Sequence, residues 1–459
     1  MSIGRAVRRL ARLRSGELGG LAGDSFYTAI WLGAVSVADL IQIALVTHTL
    51  GLEEFGRLAL VMSVVVLIGQ FFDVRVGTAE TSFGAGRIAA HDWRGVAGVF
   101  RFGYGIDGVT GVVGFAVVAL AAPLVGPWLI GENGMQWVLL FGLTLLASTL
   151  DDSSATLLRL LGRFRLLAFY MSGMEVIRVM AVALALLIDR GITAVLIALV
   201  LYDILGGIVN LLVARRVFYR TTGQPLLGRS YEGFSERRAM VLTVFHTNVV
   251  SYARIAQVQL PTLLLGALTT PTQVGLYKVG ASAGSIVGRV ADPVYASTLP
   301  RLSRLLALHK RDDIVRLLRH ATPIAAVVVG GTLVLLIVFA SPILRLIGGA
   351  GAVEAKPVLV LVGVGYAVNA VLFWNTPLLF ASGRSGTVSV IAIVSAVLQI
   401  ALLVPLAVAF DATGAAIAMC VSLVASNLVA GFFALRALRN APYNDSIISN
   451  QRATASLFE

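Results

Sequence analysis

The feature that most constrains this chain is a run of about 20 mainly apolar residues, which recurs twelve times. A run of that length crosses the hydrocarbon core of a bilayer as one α-helix. Hydrophobic residues make up 58% of the 459 positions and charged residues only 13%, which excludes a water-soluble chain. The pattern predicts an all-α polytopic membrane protein with spans near 25–50, 57–75, 104–130, 136–157, 167–188, 191–213, 240–267, 273–297, 322–347, 356–381, 386–410 and 412–435.

Basic residues are concentrated in alternate loops. The formal net charge is +12, and most of the 36 Lys and Arg residues fall in every second loop when the N-terminus is placed inside. Positive residues flank membrane helices on the cytoplasmic side. We therefore expect both termini in the cytoplasm, and no nucleic acid is needed to explain the charge.

The two halves of the sequence repeat each other. A shift of 219 residues places Gly56 on Gly275 and Asp73 on Asp292, and a shift of 221 places the Gly-Arg pair at 162–163 on the pair at 383–384. We expect two pseudo-symmetric six-helix halves with a site between them near the membrane midplane. The predicted divisions are a basic N-terminal segment (1–24), two bundles (25–213 and 240–438), a basic linker (214–239) and a cytoplasmic tail (439–459).

The eighth span carries an unusual polar stripe. Lys278, Ser282, Ser285, Arg289 and Asp292 follow one another in steps of four, three, four and three, so they share one helix face. A charge at the centre of a span costs about 2.5–3.5 kcal/mol, so the stripe is expected to face protein or water and to contact an anionic head group. In a plainer interpretation Arg289 pairs with Asp292 and Lys278 extends to the membrane interface.

Other ionisable or polar residues lie in the first, second and seventh spans. Arg254 has no acidic residue three or four positions away, which favours a phosphate contact, although Asp39 is an alternative partner. Asp39 could couple transport by holding a proton or cation, or it could form that ion pair. In the second span, Ser63, Gln70 and Asp73 form the weaker counterpart of the eighth-span stripe. Gln70 is expected to contact the head group, and Asp73 to form an ion pair, take part in coupling or only cap the cytoplasmic helix end.

Two further segments have predictable roles. Glu175 and Arg178 lie three residues apart in the fifth span, and further acidic residues lie in the neighbouring spans at Asp151, Asp152 and Asp203. We expect these groups to be structural, because neighbouring helices of one half can pair them internally. The segment from Arg301 to His320 has apolar residues at helical spacing and predicts a helix on the membrane surface. No nucleophile motif, metal cluster or phosphate-binding loop occurs in the sequence, so neither a cofactor nor an enzymatic activity is expected.

Three stretches resemble the polysaccharide-transporter family of oligosaccharide flippases: LGLEEFGRLALVMSVVVLIGQFFDVRVGTAET (50–81), LLGRFRLLA (160–168) and VGLYKVGAS (274–282). The resemblance extends over almost the whole chain, within the superfamily that includes multidrug and toxin extrusion proteins and lipid II flippases. One departure is Gln257-Val-Gln259, where relatives often have an acidic residue. A carboxylate function in the seventh span therefore cannot be carried over.

The resemblance implies flipping of a polyprenyl-diphosphate-linked oligosaccharide across the cytoplasmic membrane of a prokaryote. The substrate would pass through a cavity lined by the first, second, seventh and eighth spans, with glycosyltransferases or a polysaccharide polymerase as partners. The alternative is a multidrug extrusion antiporter, whose cationic substrates favour acidic cavity residues. A membrane polymerase or glycosyltransferase is disfavoured because the outer loops, such as GENGMQ, are too short to hold a catalytic site.

Overall fold

A computed structural model describes residues 30–72, 76–228, 240, 249–290, 302, 305, 306, 308 and 310–439 of the chain, with residues 249–256 described by their backbone alone. The described residues of the N-terminal half form nine helices: α1 (Ile30–Leu50), α2 (Leu52–Phe72), α3 (Val76–Ala89), α4 (Trp93–Leu129), α5 (Gly134–Gly142), α6 (Thr144–Ser148), α7 (Asp152–Leu160), α8 (Phe164–Ile188) and α9 (Ile192–Thr222).

The C-terminal half is also helical throughout its described residues. Its helices are α10 (Val249–Leu268), α11 (Pro271–Arg289), α12 (Arg311–Val338), α13 (Ala340–Gly348), the 3-10 helix Ala350–Ala355, α14 (Lys356–Val371), α15 (Asn375–Ala381) and α16 (Ser385–Arg439). The long α16 breaks at Phe410 and Asp411, and its two arms fold back so that Ser395 and Ser422 share hydrogen bonds. α16 therefore supplies two membrane crossings.

The all-helical membrane architecture is confirmed. Nine of the described helical segments are long and apolar enough to cross a membrane, and one of these nine, α16, is long enough for two crossings. The helices α10 and α11, of 20 and 19 residues, come between these spans in the sequence. Two local expectations change. α4 begins at Trp93, well before the predicted start at 104, because Asp92 caps it by accepting a hydrogen bond from the Gly95 amide.

The predicted surface helix is also different from expectation. Residues 311–320 belong to α12 and run without interruption into the ninth span. Their apolar side chains Ile314 and Leu318 pack with Leu302 against Phe373 and Leu378 inside the C-terminal half. The helical spacing was correct, but the apolar face is covered by protein.

The internal repeat is visible as identical helix endings. Gly162 follows α7 with φ +68°, and Gly383 follows α15 with φ +71°, a conformation that glycine adopts without steric cost. The amide of Arg163 donates to the Leu158 carbonyl, and that of Arg384 donates to the Leu379 carbonyl, both at 2.9 Å. Each pair of positions is separated by 221 residues, so the halves share this turn in register.

Two glycines bring the halves together at the α1–α2 end, the predicted outer face. A Cβ atom on Gly56 of α2 would overlap the Pro271 carbonyl of α11, and one on Gly275 would overlap the Leu52 carbonyl. Both contacts are related by the 219-residue shift. We call these four residues the glycine seam. Thr47 strengthens closure here, because its hydroxyl donates to the Ile347 carbonyl at 2.5 Å.

Candidate functional site

A cavity of about 270 Å³ lies between the halves, where α1, α2 and α8 face α10 and α11. Four of these helices are the predicted first, second, seventh and eighth spans, and α8 adds the fifth. We call it the central cavity. Its polar and charged lining residues are Ser36, Asp39, Gln42, Ser63, Arg178, Gln259, Lys278, Ser282 and Arg289.

Small residues determine which face of α11 meets this cavity. Gly280, Gly284 and Gly288 recur every four residues, and each lies against α14, whose Val358, Leu359 and Tyr366 occupy the space that a Cβ would need. Spacing of this kind lets two membrane helices approach closely. The opposite face, with Lys278, Ser282 and Arg289, is therefore turned toward the N-terminal half.

Asp39 is the centre of an ion-pair network that crosses between the halves. Arg178 Nη2 lies 2.8 Å from Asp39 Oδ1 and 2.7 Å from Glu175 Oε2. Arg289 Nη2 approaches Asp39 Oδ2 at 3.7 Å, and Arg289 also donates to the Ser36 hydroxyl. The Glu175–Arg178 pair agrees with expectation, but sequence reasoning missed that Arg178 extends to α1. Among the described side chains, Arg178 takes the place suggested for Arg254 as the partner of Asp39.

Lys278 differs from these charges because it has no anionic partner among the described residues. It is half-buried and lines the central cavity, so it does not extend toward lipid. Gln42, which is buried in the same wall, has a side-chain oxygen that accepts no hydrogen bond within the described part of the chain. Burying an unpaired charge is costly, so an anion in the cavity would stabilise the Lys278 ammonium.

The remaining predicted site residues lie elsewhere. Gln70 lines a different cavity inside the N-terminal half. Ser285 donates its hydroxyl to the Ser282 carbonyl at 2.8 Å and is not part of the central cavity lining. Asp73, Asp292 and the side chain of Arg254 lie outside the described residues. The structure thus brings together Asp39, Lys278, Ser282 and Arg289 from the predicted set.

The second cavity, of about 570 Å³, is lined by α1, α2 and α4–α9 and is rich in carboxyl groups. We call it the N-terminal cavity. Asp151 lies at the break before α7, where the Asn210 side chain of α9 donates to its Oδ1 at 2.5 Å. The acidic lining residues are Asp107, Asp151, Asp152, Glu175 and Asp203, and Arg159 is the basic one.

Beside this cavity, three helices bring two carboxyl groups to one hydroxyl group. Ser153 Oγ of α7 lies 2.7 Å from Glu80 Oε1 of α3 and 2.6 Å from Asp107 Oδ2 of α4. Sequence reasoning missed this cluster, because Glu80 lies outside every predicted span. The available signal was Asp107, an acidic residue within an apolar window flanked by glycines, in the stretch FGYGIDGVTG.

Comparison of this sequence with the sequence profiles of known families finds one match. The sequence profile described as "Polysaccharide biosynthesis protein" matches residues 21–306, which is more than half of the chain. Among curated proteins, none matches this sequence significantly.

Several solved transporter structures have a similar fold. An inward-facing multidrug resistance MATE family transporter of the MOP superfamily has a TM-score of 0.76 at 12% identity, covering 91% of this chain and 99% of that chain. The lipid II flippase MurJ, in an inward closed conformation, has a TM-score of 0.67 at 13% identity, covering 90% and 89%. An outward-facing MATE family transporter has a TM-score of 0.62 at 14% identity, covering 92% and 95%. At these identities the likeness establishes the fold.

Proposed function

Because this chain belongs to the polysaccharide biosynthesis protein family, we propose that it is a flippase for a polyprenyl-diphosphate-linked oligosaccharide. It would move the head group from the inner to the outer leaflet of the cytoplasmic membrane of a prokaryote. The movement involves no bond-making or bond-breaking step, so the protein acts as a transporter and not as an enzyme. Glycosyltransferases would supply the lipid-linked substrate, and a polysaccharide polymerase would consume it.

The observation that carries this proposal is the charge of the central cavity. Arg178 is engaged by Glu175 and Asp39, and Asp39 also approaches Arg289. Lys278 has no anionic partner among the described residues. A diphosphate offers several oxygen acceptors to an ammonium and a guanidinium at once, which makes it the class of ligand that this wall favours.

The arrangement of α11 also suits a head group that moves along the membrane normal. Lys278 and Arg289 are eleven residues apart on one face, which corresponds to roughly 16 Å at about 1.5 Å per residue. Ser282 lies between them and offers a hydroxyl for sugar or phosphate. Since the glycine seam closes the predicted outer end, the head group would enter this conformation from the cytoplasmic side.

Transport of a labelled substrate in reconstituted vesicles tests the proposal. A fluorescent polyprenyl-diphosphate oligosaccharide in the inner leaflet should reach the outer leaflet only when the protein is present, as measured by quenching with an impermeant reductant. A fluorescent phospholipid without sugar in the same vesicles controls for leakage and non-specific scrambling. Equal rates for both lipids would contradict the proposal.

One observation favours the alternative, a multidrug extrusion antiporter. The N-terminal cavity is larger than the central cavity, and its acidic lining suits an organic cation. The same vesicles loaded with a cationic dye separate the two functions. Dye extrusion without movement of the diphosphate lipid would establish the antiporter.

A further inference from the structure

The cluster of Glu80, Ser153 and Asp107 has no part in the proposed passage of the head group, because it lies inside the N-terminal half. Glu80 and Ser153 are completely buried, and Asp107 is 9% exposed and contributes to the wall of the N-terminal cavity. Three separate helices therefore place two carboxyl groups and one hydroxyl group in a space that opens to the cavity only at Asp107. Such an arrangement requires a defined number of protons.

The number of protons follows from the hydrogen bonds. A serine hydroxyl has a single proton, so Ser153 donates to one carboxyl group only. Its oxygen lies within 2.7 Å of both carboxyl groups, at a separation that requires a hydrogen atom on each side. The second hydrogen atom must come from a carboxyl group in its neutral acid form.

The second oxygen of Glu80 identifies which carboxyl group is neutral. Glu80 Oε2 is fully enclosed and has no hydrogen-bond partner within the described residues. A carboxylate would leave negative charge on this unsolvated atom, whereas the carbonyl oxygen of a carboxylic acid carries no net charge. Glu80 therefore donates from Oε1 to Ser153, and Ser153 donates to Asp107, which opens onto the cavity.

The backbone of α4 leaves space for the Glu80 carboxyl group at Gly103. Gly103 of α4 faces it, and a Cβ atom on Gly103 would overlap Glu80 Oε1. The position occupied by the carboxyl oxygen is thus available only because residue 103 has no side chain. α3 and α4 are held at this distance by the packing of Val76, Ala79 and Val99.

We propose that Glu80 is a proton-binding site and that Ser153 and Asp107 connect it to the N-terminal cavity. On release, the Oε1–H bond of Glu80 breaks as its proton passes to Ser153 Oγ. Ser153 gives its own proton to Asp107 Oδ2, and Asp107 passes it to water in the cavity. Glu80 becomes a carboxylate, Asp107 and Ser153 return to their starting forms, and one hydronium ion is produced. Proton uptake is the reverse sequence.

The surroundings favour a proton over a larger cation. The titratable groups that face Glu80 are Asp107 and Tyr104 of α4 and Asp152 of α7. No group of three His, Cys, Asp or Glu side chains in the described residues is arranged to hold a metal ion. This site is independent of the proposed substrate, so its test needs no transport.

Infrared spectroscopy of the purified protein in lipid at neutral pH tests the proposal directly. We expect an absorption band of a protonated carboxyl group that shifts in heavy water and is lost in Glu80→Gln. Glu53→Gln, which removes an exposed glutamate paired with Arg57, should retain the band. Ser153→Ala should retain it as well but should slow its exchange in heavy water, because the connection to Asp107 is broken. Persistence of the full band in Glu80→Gln would overturn the proposal.

A second measurement uses the unaltered protein and so does not depend on folding of a variant. A hydrophobic carbodiimide reacts with neutral carboxyl groups, and we expect peptide mapping by mass spectrometry to find the adduct on Glu80 but not on Asp107. Labelling should be unchanged when sodium replaces potassium in the buffer. Protection by sodium would identify a metal cation as the ligand and would refute the proton site.

Discussion

The two halves share a fold, but their polar interiors are built differently. Within the described part of the N-terminal half, several part-buried contacts between side chains involve ionisable groups: Asp39 with Arg178, Arg178 with Glu175, and Asn210 with Asp151. The corresponding contacts between described helices of the C-terminal half join neutral groups. Gln257 donates to Ser395, and Gln399 donates to the Gln257 carbonyl.

This contrast assigns different tasks to the halves. Neutral amide and hydroxyl bonds hold helices in place over a wide pH range, whereas carboxyl groups gain or lose charge with their surroundings. The C-terminal half is therefore a stable support that presents Lys278 to the central cavity. The N-terminal half has the carboxyl groups, among them Glu80, for which we propose proton binding. The 221-residue shift makes Arg178 the counterpart of Gln399, which provides matched positions for comparison.

The largest effect is expected from breaking the ionic network. Arg178→Met leaves the carboxylates of Asp39 and Glu175 without their shared partner. Losing one partner of a buried pair costs about 3–5 kcal/mol, and the partial exposure of Asp39 reduces our expectation to about 2–3 kcal/mol of unfolding free energy. Gln399→Met removes a neutral bond and should cost about 1 kcal/mol. Denaturation in mixed micelles measures both, and equal losses would remove the distinction between the halves.

Substitution of either glycine of the glycine seam should destabilise the closed state by the same amount. Gly56→Ala and Gly275→Ala each place a methyl group against a backbone carbonyl that cannot rotate away, at a cost of about 2 kcal/mol to the closed state. Spin labels at Glu53 and Glu354, in a Cys420→Ser background, should report a longer distance across this end in both variants. Gly105→Ala, where the added methyl group meets open space, is the control. A response to only one of the two seam variants would show that the symmetry is not functional.

The smallest effect is expected at the repeated helix endings. Gly162→Ala and Gly383→Ala force a residue with a side chain into the left-handed region, which costs about 1 kcal/mol each. At both sites the added methyl group meets open space, so the loss of stability measures the backbone strain alone, without a steric clash. The melting temperatures of the two variants should fall by equal amounts. A large difference would mean that one of the two turns makes stabilising contacts that the other lacks.

Sequence-based prediction was most accurate for features that depend on one helix or one turn alone. Apolar runs predict the spans because their length matches the bilayer, and the repeated glycines align because each turn needs a residue without a side chain. The face of α11 with Lys278 and Arg289 could be predicted from helical spacing. That spacing did not exclude Ser285, which shares the face by angle but donates to its own helix.

Contacts between segments far apart in the sequence could not be predicted from helical spacing. Arg178 reaches Asp39 across 139 positions, and a pattern within one helix contains no information about which neighbour it meets. Glu80 lies outside every predicted span, and its burial against Gly103 of another helix leaves no pattern in its own segment. The fourth span also consists of three short helices, and its break at Asp151 is stabilised by Asn210, 59 positions away.

The central claim is that Lys278 binds the anionic part of a lipid-linked substrate. Titration calorimetry of the protein in detergent with a short-chain polyprenyl diphosphate, and with the polyprenol of equal chain length, measures this most directly. We predict tighter binding of the diphosphate, and about a tenfold or greater loss of that affinity in Lys278→Gln, because a charged hydrogen bond contributes about 1.5–3 kcal/mol. Lys356→Gln, at an exposed position, should leave the affinity unchanged. Equal affinity of Lys278→Gln and the unaltered protein for the diphosphate would contradict the account.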